Sequence, residues 1–442
     1  MNSSLAVLVV SYIFPPVGEI GAKRIAKFCR YLPDAGIRPI VLTAQEKYYR
    51  YPDSSSLPPP GIQVERTAVW QTPLDFYRRW KTRAGNSSAT GSAVETPQVQ
   101  NNPGILRRHV LALLQSPDPY WGWYFPAVEA GEKLIQQEKI EAIFSSGPPW
   151  ISHLVARALK KKTRLPWLAD FRDPWGPDPY HREDMPGWRL WLNHQLEASC
   201  MRLADRVICT TDRMREVFTK QYPEISEGKF RTLTNGFEEL TLQPDIANKH
   251  ERRLLLHLGS LYAGRRVDTF CDALAMLLKE GKIAPGSVEV LFLGDADPTI
   301  VLAAQQRTPE LFSDGTIRFA GRIPWREAQT KLSAAELLLL FQGNLRLEIP
   351  AKLYEYMPTG KPVFAVVKQG ALSDLLDSAG LGPWADPDDP TAIAEQLHRA
   401  LQMPARSPAE AFQKLYGRFH CRPLTEQLAG WLREQASVQP KG

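Results

Sequence analysis

Two successive series of short, unbroken apolar runs, spaced by helix-length stretches, constrain this chain more than any other property of its sequence. The first series is Leu5–Val10 (LAVLVV), Ile40–Leu42, Ala142–Ser145, Trp167–Asp170 and Arg206–Thr210. Runs of this length, closed by turn residues, predict strands buried on both faces. Helical patterns lie between them, at 25–32, 126–138, 151–162 and 186–203. The second series is Leu254–Leu258, Val288–Leu293, Ile317–Ala320, Leu337–Phe341 and Val363–Val367, with helical patterns near 267–280, 298–307, 325–332 and 351–357. Such alternation predicts an α/β chain of two Rossmann-like, doubly wound parallel-sheet domains, with a cleft between them. The predicted domains span 1–240 and 251–405, and a helical segment, 406–436, follows without a further strand. The polar stretch 238–252 reads as a linker, and the Ser/Gly/Asn-rich stretch 81–103 as a flexible surface insertion.

The net charge of +6 is modest for 442 residues, and Lys and Arg are spread rather than clustered. That distribution argues against a nucleic-acid partner. It suits anionic phosphates, and leaves contact with an anionic membrane face open. The five cysteines are dispersed, with no CxxC pair or metal-ligand spacing, and read as reduced thiols. No metal site is expected. Leu5–Val10 is too short for a secretory signal, and no run reaches the ~18 apolar residues of a membrane span. The expected location is the cytoplasm, with peripheral contact at the cytoplasmic face of the inner membrane as an extension of it.

Chemistry-bearing residues gather where the predicted strands end. After the first strand comes SYIFPPVGEIGAKR, with Gly18 and Gly21 in a strand-to-helix loop. Such a loop exposes backbone N–H groups that favour an anion, although a tight turn alone also uses glycine. SSGPPWISH places His153 in the first turns of the next helix. ADFRDPW crowds Asp170, Arg172 and Asp173 at the end of another strand. A carboxylate here could take a proton from a hydroxyl, and an Asp–Arg pair could equally fix the loop. Open α/β sheets bind ligands at strand carboxyl ends, so Gly18, His153 and Asp173 point to one ligand region. The aromatic run Tyr120–Phe125 (YWGWYF) is either core or a surface for a sugar or lipid.

In the second half, LGSLYAGRR runs from a strand through Gly259 to Arg265 and Arg266, and LFLGDAD ends a strand at Gly294. Arginine offers a planar set of donors suited to a diphosphate. The segment Ile349–Val363 (IPAKLYEYMPTGKPV) predicts a short helix opened by Pro350 and closed by Gly360. Lys352 near the helix start would attract phosphate, and Glu355, on the same face, could accept hydrogen bonds from two ribose hydroxyls.

These segments resemble a known family. PAKLYEYMPTGKPV is similar to the donor-site segment of family-4 glycosyltransferases, and FPPVGEIGAKR to that family's first glycine loop. SGPPWISH, LPWLADFRDPW and LTNGFEE resemble segments of bacterial members that build surface polysaccharides, and HLGSLYAGRR resembles the start of their donor domain. The matches run in order from residue 5 to about residue 367. The resemblance implies the GT-B fold: an acceptor domain, a donor domain, and a C-terminal helix crossing back to the first. It implies retaining, metal-independent transfer of a hexose from a nucleoside diphosphate sugar to a saccharide or lipid-linked saccharide, with no cofactor. By motif position Glu355 would hold the ribose, Arg265 and Lys352 would meet the diphosphate, and Gly259 and Gly294 would line the donor. Gly18 would lie near the transferred sugar, and His153, Arg172 and Asp173 would face the acceptor. Two positions depart from the pattern. Leu347 stands eight residues before Glu355 where the family often carries a second glutamate, with Glu348 beside it, and Ser260 replaces a frequent arginine. A sugar-nucleotide epimerase or a silent donor-binding subunit would use the same shell.

Overall fold

The computed structural model describes residues 4–49, 53, 56–75, 105–176, 185–239, 252–262 and 264–438. The stretch 81–103 and most of 238–252 lie outside these residues. The chain divides into two compact units.

The first unit carries a seven-stranded parallel sheet. Its strands are β1 (Leu5–Val10), β2 (Ile37–Ala44), β3 (Gln63–Thr67), β4 (Ala142–Gly147), β5 (Trp167–Phe171), β6 (Arg206–Cys209) and β7 (Phe230–Thr232). The spatial order is β3-β2-β1-β4-β5-β6-β7. The second unit carries β8 (Arg253–Leu258), β9 (Val288–Leu293), β10 (Ile317–Ala320), β11 (Leu337–Phe341), β12 (Val363–Val366) and β13 (Trp384–Ala385), in the order β10-β9-β8-β11-β12-β13. Every pairing in both sheets is parallel. Both are Rossmann-like, and each reverses its winding once, between β1 and β4 and between β8 and β11.

The apolar runs are continuous because helices cover both faces. In the second unit Leu255, Leu337 and Leu339 enter one core with Phe270, Leu274 and Ile393. Their neighbours Leu254, Leu256, Leu338 and Leu340 enter another with Leu332, Leu353 and Leu376. Successive strand residues point to opposite faces, so a sheet buried twice needs an apolar residue at every position.

The sequence pattern misses β3, β7 and β13. β3 is an edge strand with alternating exposure and the polar sequence QVERT, while β7 and β13 have three and two residues. The return to the first unit begins later than the predicted 406–436 segment. Helix Pro408–Phe419 belongs to the second unit, where Leu415 and Phe419 join the core. The last helix, Cys421–Val438, contributes its residues from Thr425 onward to the first unit. There Glu434 pairs with Arg206, and Arg433 donates to the carbonyl of Ala35.

One buried ion pair ties helix Ile20–Tyr31 to β5. Arg24 grips Asp170 through Nε and Nη2, at 3.1 and 2.8 Å, and both side chains are buried. Ser146 Oγ donates to the same carboxylate at 2.6 Å. Burial alone would raise the Asp170 pKa, but Arg24, Ser146 and Arg172 together hold it below the usual carboxylate range. Removing one partner of such a pair strands a buried charge. Arg24→Met is therefore expected to cost about 3–5 kcal/mol in urea unfolding. A loss under about 1 kcal/mol would show the pair to be no stronger than a surface bridge.

Candidate functional site

Open α/β sheets take ligands beside the carboxyl ends of the strands at the point where winding reverses. In the second unit the relevant loops follow β8, β9 and β11. Gly259 leaves β8 with φ +117°, and Gly294 leaves β9 with φ +135°. The two backbones touch: the Gly259 N–H donates to Leu293 O at 2.5 Å, and a side chain on Gly294 would collide with the Gly259 peptide. A side chain on Gly259 would occupy the place of the Lys352 ammonium. Glycine at both positions thus opens the room that Lys352 fills.

Lys352 and Arg265 stand together at this floor. Lys352 makes no hydrogen bond or ion pair with any described residue, and its pKa falls to about 8. Burial is the main cause, and repulsion from Arg265 adds to it, against partial relief from Glu355. Arg265 is also pushed down by burial and forms no ion pair with a described residue. Its guanidinium donates to the carbonyl of Ser260 and lies over the Tyr262 ring, 3.9 Å from the centroid. Tyr262 is a component the sequence reading lacks; its position three residues before Arg265 is the only hint. Arg266 differs: it pairs with Asp268 at 2.9 Å and Asp388 at 3.0 Å, and its charge is already matched.

Glu355 follows Lys352 on helix Ala351–Tyr356, which continues as the turn Met357–Thr359 and closes at Gly360 with φ +72°. Glu355 is half-buried and makes no hydrogen bond or ion pair with a described residue. Its neighbour Tyr356 is buried and accepts the Leu258 N–H at 2.9 Å, which fixes the helix against β8. Beneath the loop, His257 is buried and held neutral, its pKa lowered to about 3 by burial first and then by Lys352. Leu347 is buried, and its carbonyl accepts Thr211 Oγ1 at 2.6 Å, so this position presents no acid.

In the first unit the loops after β1, β4 and β5 flank the corresponding reversal. Gly18 sits in the first loop, and a side chain there would contact Asp53 at 3.4 Å. The Arg172 guanidinium lies against Gly21, where any side chain would clash with it. It donates to Ser146 Oγ at 3.1 Å and to the carbonyl of Pro148, and burial lowers its pKa. Arg172 therefore clasps the first and fourth strand-end loops. Asp173 is half-buried with no hydrogen bond or ion pair to a described residue, and burial raises its carboxyl pKa. Glu197, unforeseen from sequence, anchors the loop that carries it, accepting the N–H groups of Trp175 and Gly176 at 2.6 and 2.8 Å.

His153 requires a correction. The sequence reading turns it toward an acceptor, but the ring is fully buried. It stacks on Phe171 at 4.3 Å, and Nδ1 is shared with Ser145 Oγ at 2.8 Å. Nε2 faces Gly147, and burial lowers the pKa to about 3. A ring out of solvent's reach packs the strand-end loop and does not meet an acceptor. The Tyr120–Phe125 run divides: Trp123 is core, bonded to Thr67 Oγ1 at 2.7 Å, and Phe125 is exposed and stacked on Trp70 at 5.3 Å. Among the described residues no group of three His, Cys, Asp or Glu side chains could hold a metal ion.

The glycosyl transferase 4-like domain family matches residues 21–236, and the glycosyl transferases group 1 family matches residues 252–403. This chain belongs to the family-4 glycosyltransferases. A probable glycosyltransferase of Pseudomonas aeruginosa, WbjE, is 31% identical over 110 residues, a match spanning 23% of this chain and 28% of that protein. Anabaena HepE, solved in complex with UDP and glucose, superposes with a TM-score of 0.63 at 16% identity, over 97% of this chain and all of that one. Sucrose-phosphate synthase of Thermosynechococcus elongatus does so with a TM-score of 0.62 at 17% identity, over 98% and 100%. The fold of the transferase is GT-B.

Lys352 and Arg265 supply two unmatched positive charges in a half-buried setting, which an anion would neutralise. Because the folded-state pKa of Lys352 is lowered from 10.5 to about 8, its charge is present below pH 8 and lost above it. Pyrophosphate affinity, read by calorimetry, is expected to fall as pH rises through about 8, and Lys352→Arg to flatten that fall. Between pH 8 and 10.5 the native state holds fewer protons than the unfolded chain at this site, so this group makes stability rise with pH there. Lys352→Met should then weaken pyrophosphate binding with no loss of thermal stability.

Proposed function

We propose that this chain moves a hexose, with retention at the anomeric carbon and without a metal ion, from a nucleoside diphosphate sugar to a saccharide or lipid-linked saccharide. The setting is surface-polysaccharide assembly in the cytoplasm, at the inner face of the membrane. The observation that carries the reading is the unmatched cation pair Lys352 and Arg265 above the Gly259–Gly294 floor. UDP and glucose in Anabaena HepE support the same donor class.

In this reading the diphosphate rests on Gly259 and Gly294 between Arg265 and Lys352. Their charges offset the negative charge that grows on the leaving diphosphate as the glycosidic bond breaks. Protein cations take the role that a divalent metal serves elsewhere. Glu355, half-buried and without a protein partner, accepts hydrogen bonds from the ribose hydroxyls. On the first unit, Gly18 leaves space for the transferred sugar, while Asp173 accepts a hydroxyl of the acceptor and Arg172 holds the loop that presents it. The leaving phosphate takes the acceptor's proton, so no enzyme nucleophile is required.

A thermal-shift screen of UDP, GDP, ADP and their sugars identifies the donor, because a ligand of the folded state raises its stability. With that donor, Arg265→Ala is expected to lower kcat by about a hundred- to a thousand-fold. Glu355→Ala should act chiefly on donor KM, and chelators should leave the rate unchanged. Proton NMR of the product reads the anomeric configuration, and NMR of the donor alone should show no epimer. Full activity in both variants would overturn the site, and an inverted product the mechanism.

A further inference from the structure

The loop after β8 runs between two fixed posts. At its start Leu261 is buried; its N–H donates to the carbonyl of Asp295 at 2.8 Å, and its own carbonyl accepts the N–H of Asp297 at 2.8 Å. At its end Arg266 is paired with Asp268 and Asp388, and Val267 enters the core. Between the posts, Gly264 backs onto the loop after β11: a side chain on Gly343 would stand 3.0 Å from the Gly264 carbonyl. The backbone is held at both ends and against its neighbour. What remains to be set is the direction of the Arg265 side chain.

Tyr262 is placed to set it. Its ring is 51% exposed, so it contributes little to the core. The Arg265 guanidinium lies over that ring, 3.9 Å from the centroid. A guanidinium stacked on an aromatic face keeps its N–H groups in its own plane, free to donate sideways. Among the described residues Arg265 spends one of these donors, from Nη1 to the carbonyl of Ser260. Without the ring, the cost of ordering this long side chain would fall at the moment of binding. The placement matters in this chain because Ser260 stands where the family often carries an arginine, and Arg266 is already matched. Arg265 is then the arginine of this loop left for the diphosphate.

We infer that Tyr262 is a positioning residue for the transfer reaction, its ring holding the Arg265 guanidinium in the plane from which it meets the diphosphate. The inference rests on the donor site proposed above and adds a residue that acts through Arg265.

The experiment uses the full chain with pyrophosphate as the probe, affinity being read by calorimetry. kcat and KM are read with the donor found by thermal shift. Tyr262→Leu is expected to lower pyrophosphate affinity about ten-fold, and kcat with it. Its melting temperature should stay within about 2 °C of the wild type, because the ring is exposed. Tyr262→Phe, which keeps the ring, should restore both to within about two-fold. The deciding arm is a double-mutant cycle: in the Arg265→Ala background, Tyr262→Leu should have no further effect. A further loss in that background overturns the inference, as does a Tyr262→Leu variant that binds and transfers like the wild type. So does tighter binding by Tyr262→Leu, because the stack is then a resting place that the anion must break. If Arg265→Ala alone leaves affinity and kcat unchanged, the donor site itself falls and this inference with it, a failure distinct from the others.

Discussion

Strands that pair in parallel cannot be joined by a tight turn; the chain must leave the sheet, cross over one face and re-enter. Every pairing in both sheets is parallel. All strands of a sheet therefore end on the same side, and the irregular backbone collects there. The apolar interior is consumed by holding helices to sheet, as with Leu254–Leu256 and Leu337–Leu340. What remains free to vary is each sheet's own rim of strand-end loops, where Gly18 and Asp173 stand in the first unit and Gly259 and Gly294 in the second.

The rim divides into residues whose electrostatics are settled and residues whose electrostatics are not. Asp170 is matched by Arg24 and Ser146, and Arg266 by Asp268 and Asp388. Lys352, Arg265 and Asp173 have no such partner among the described residues, and burial pushes each toward its neutral form. Partial burial of an unmatched charge costs stability, and strained or unmatched groups concentrate where a ligand completes them.

Much of this was legible in the sequence, for identifiable reasons. Leu5–Val10, Val288–Leu293 and Leu337–Phe341 announce themselves because burial on two faces leaves no polar position. β3 does not, because an edge strand with one wet face reads as polar. Residue type and position in a strand-to-helix segment single out Arg265, Lys352 and Glu355 as candidates, and the structure brings Arg265 and Lys352 to the same glycine floor. His153 was misread because a histidine near a strand end looks the same in sequence whether its ring points out or in; the contact with Phe171 decides it. The contact between Lys352 and Gly259, and the reach of Glu197 to Trp175, join residues distant in the chain. No periodicity encodes them.

The last helix has a consequence for how the molecule is made. Its residues from Thr425 onward belong to the first unit, where Leu428 and Leu432 are buried and Glu434 pairs with Arg206. A ribosome delivers domains from the amino end, and each ordinarily folds as it emerges. Here the amino-terminal unit lacks one of its own walls until the helix Cys421–Val438 has been made. During synthesis the carboxy-terminal unit is the first able to close completely, and the unit begun first is finished last.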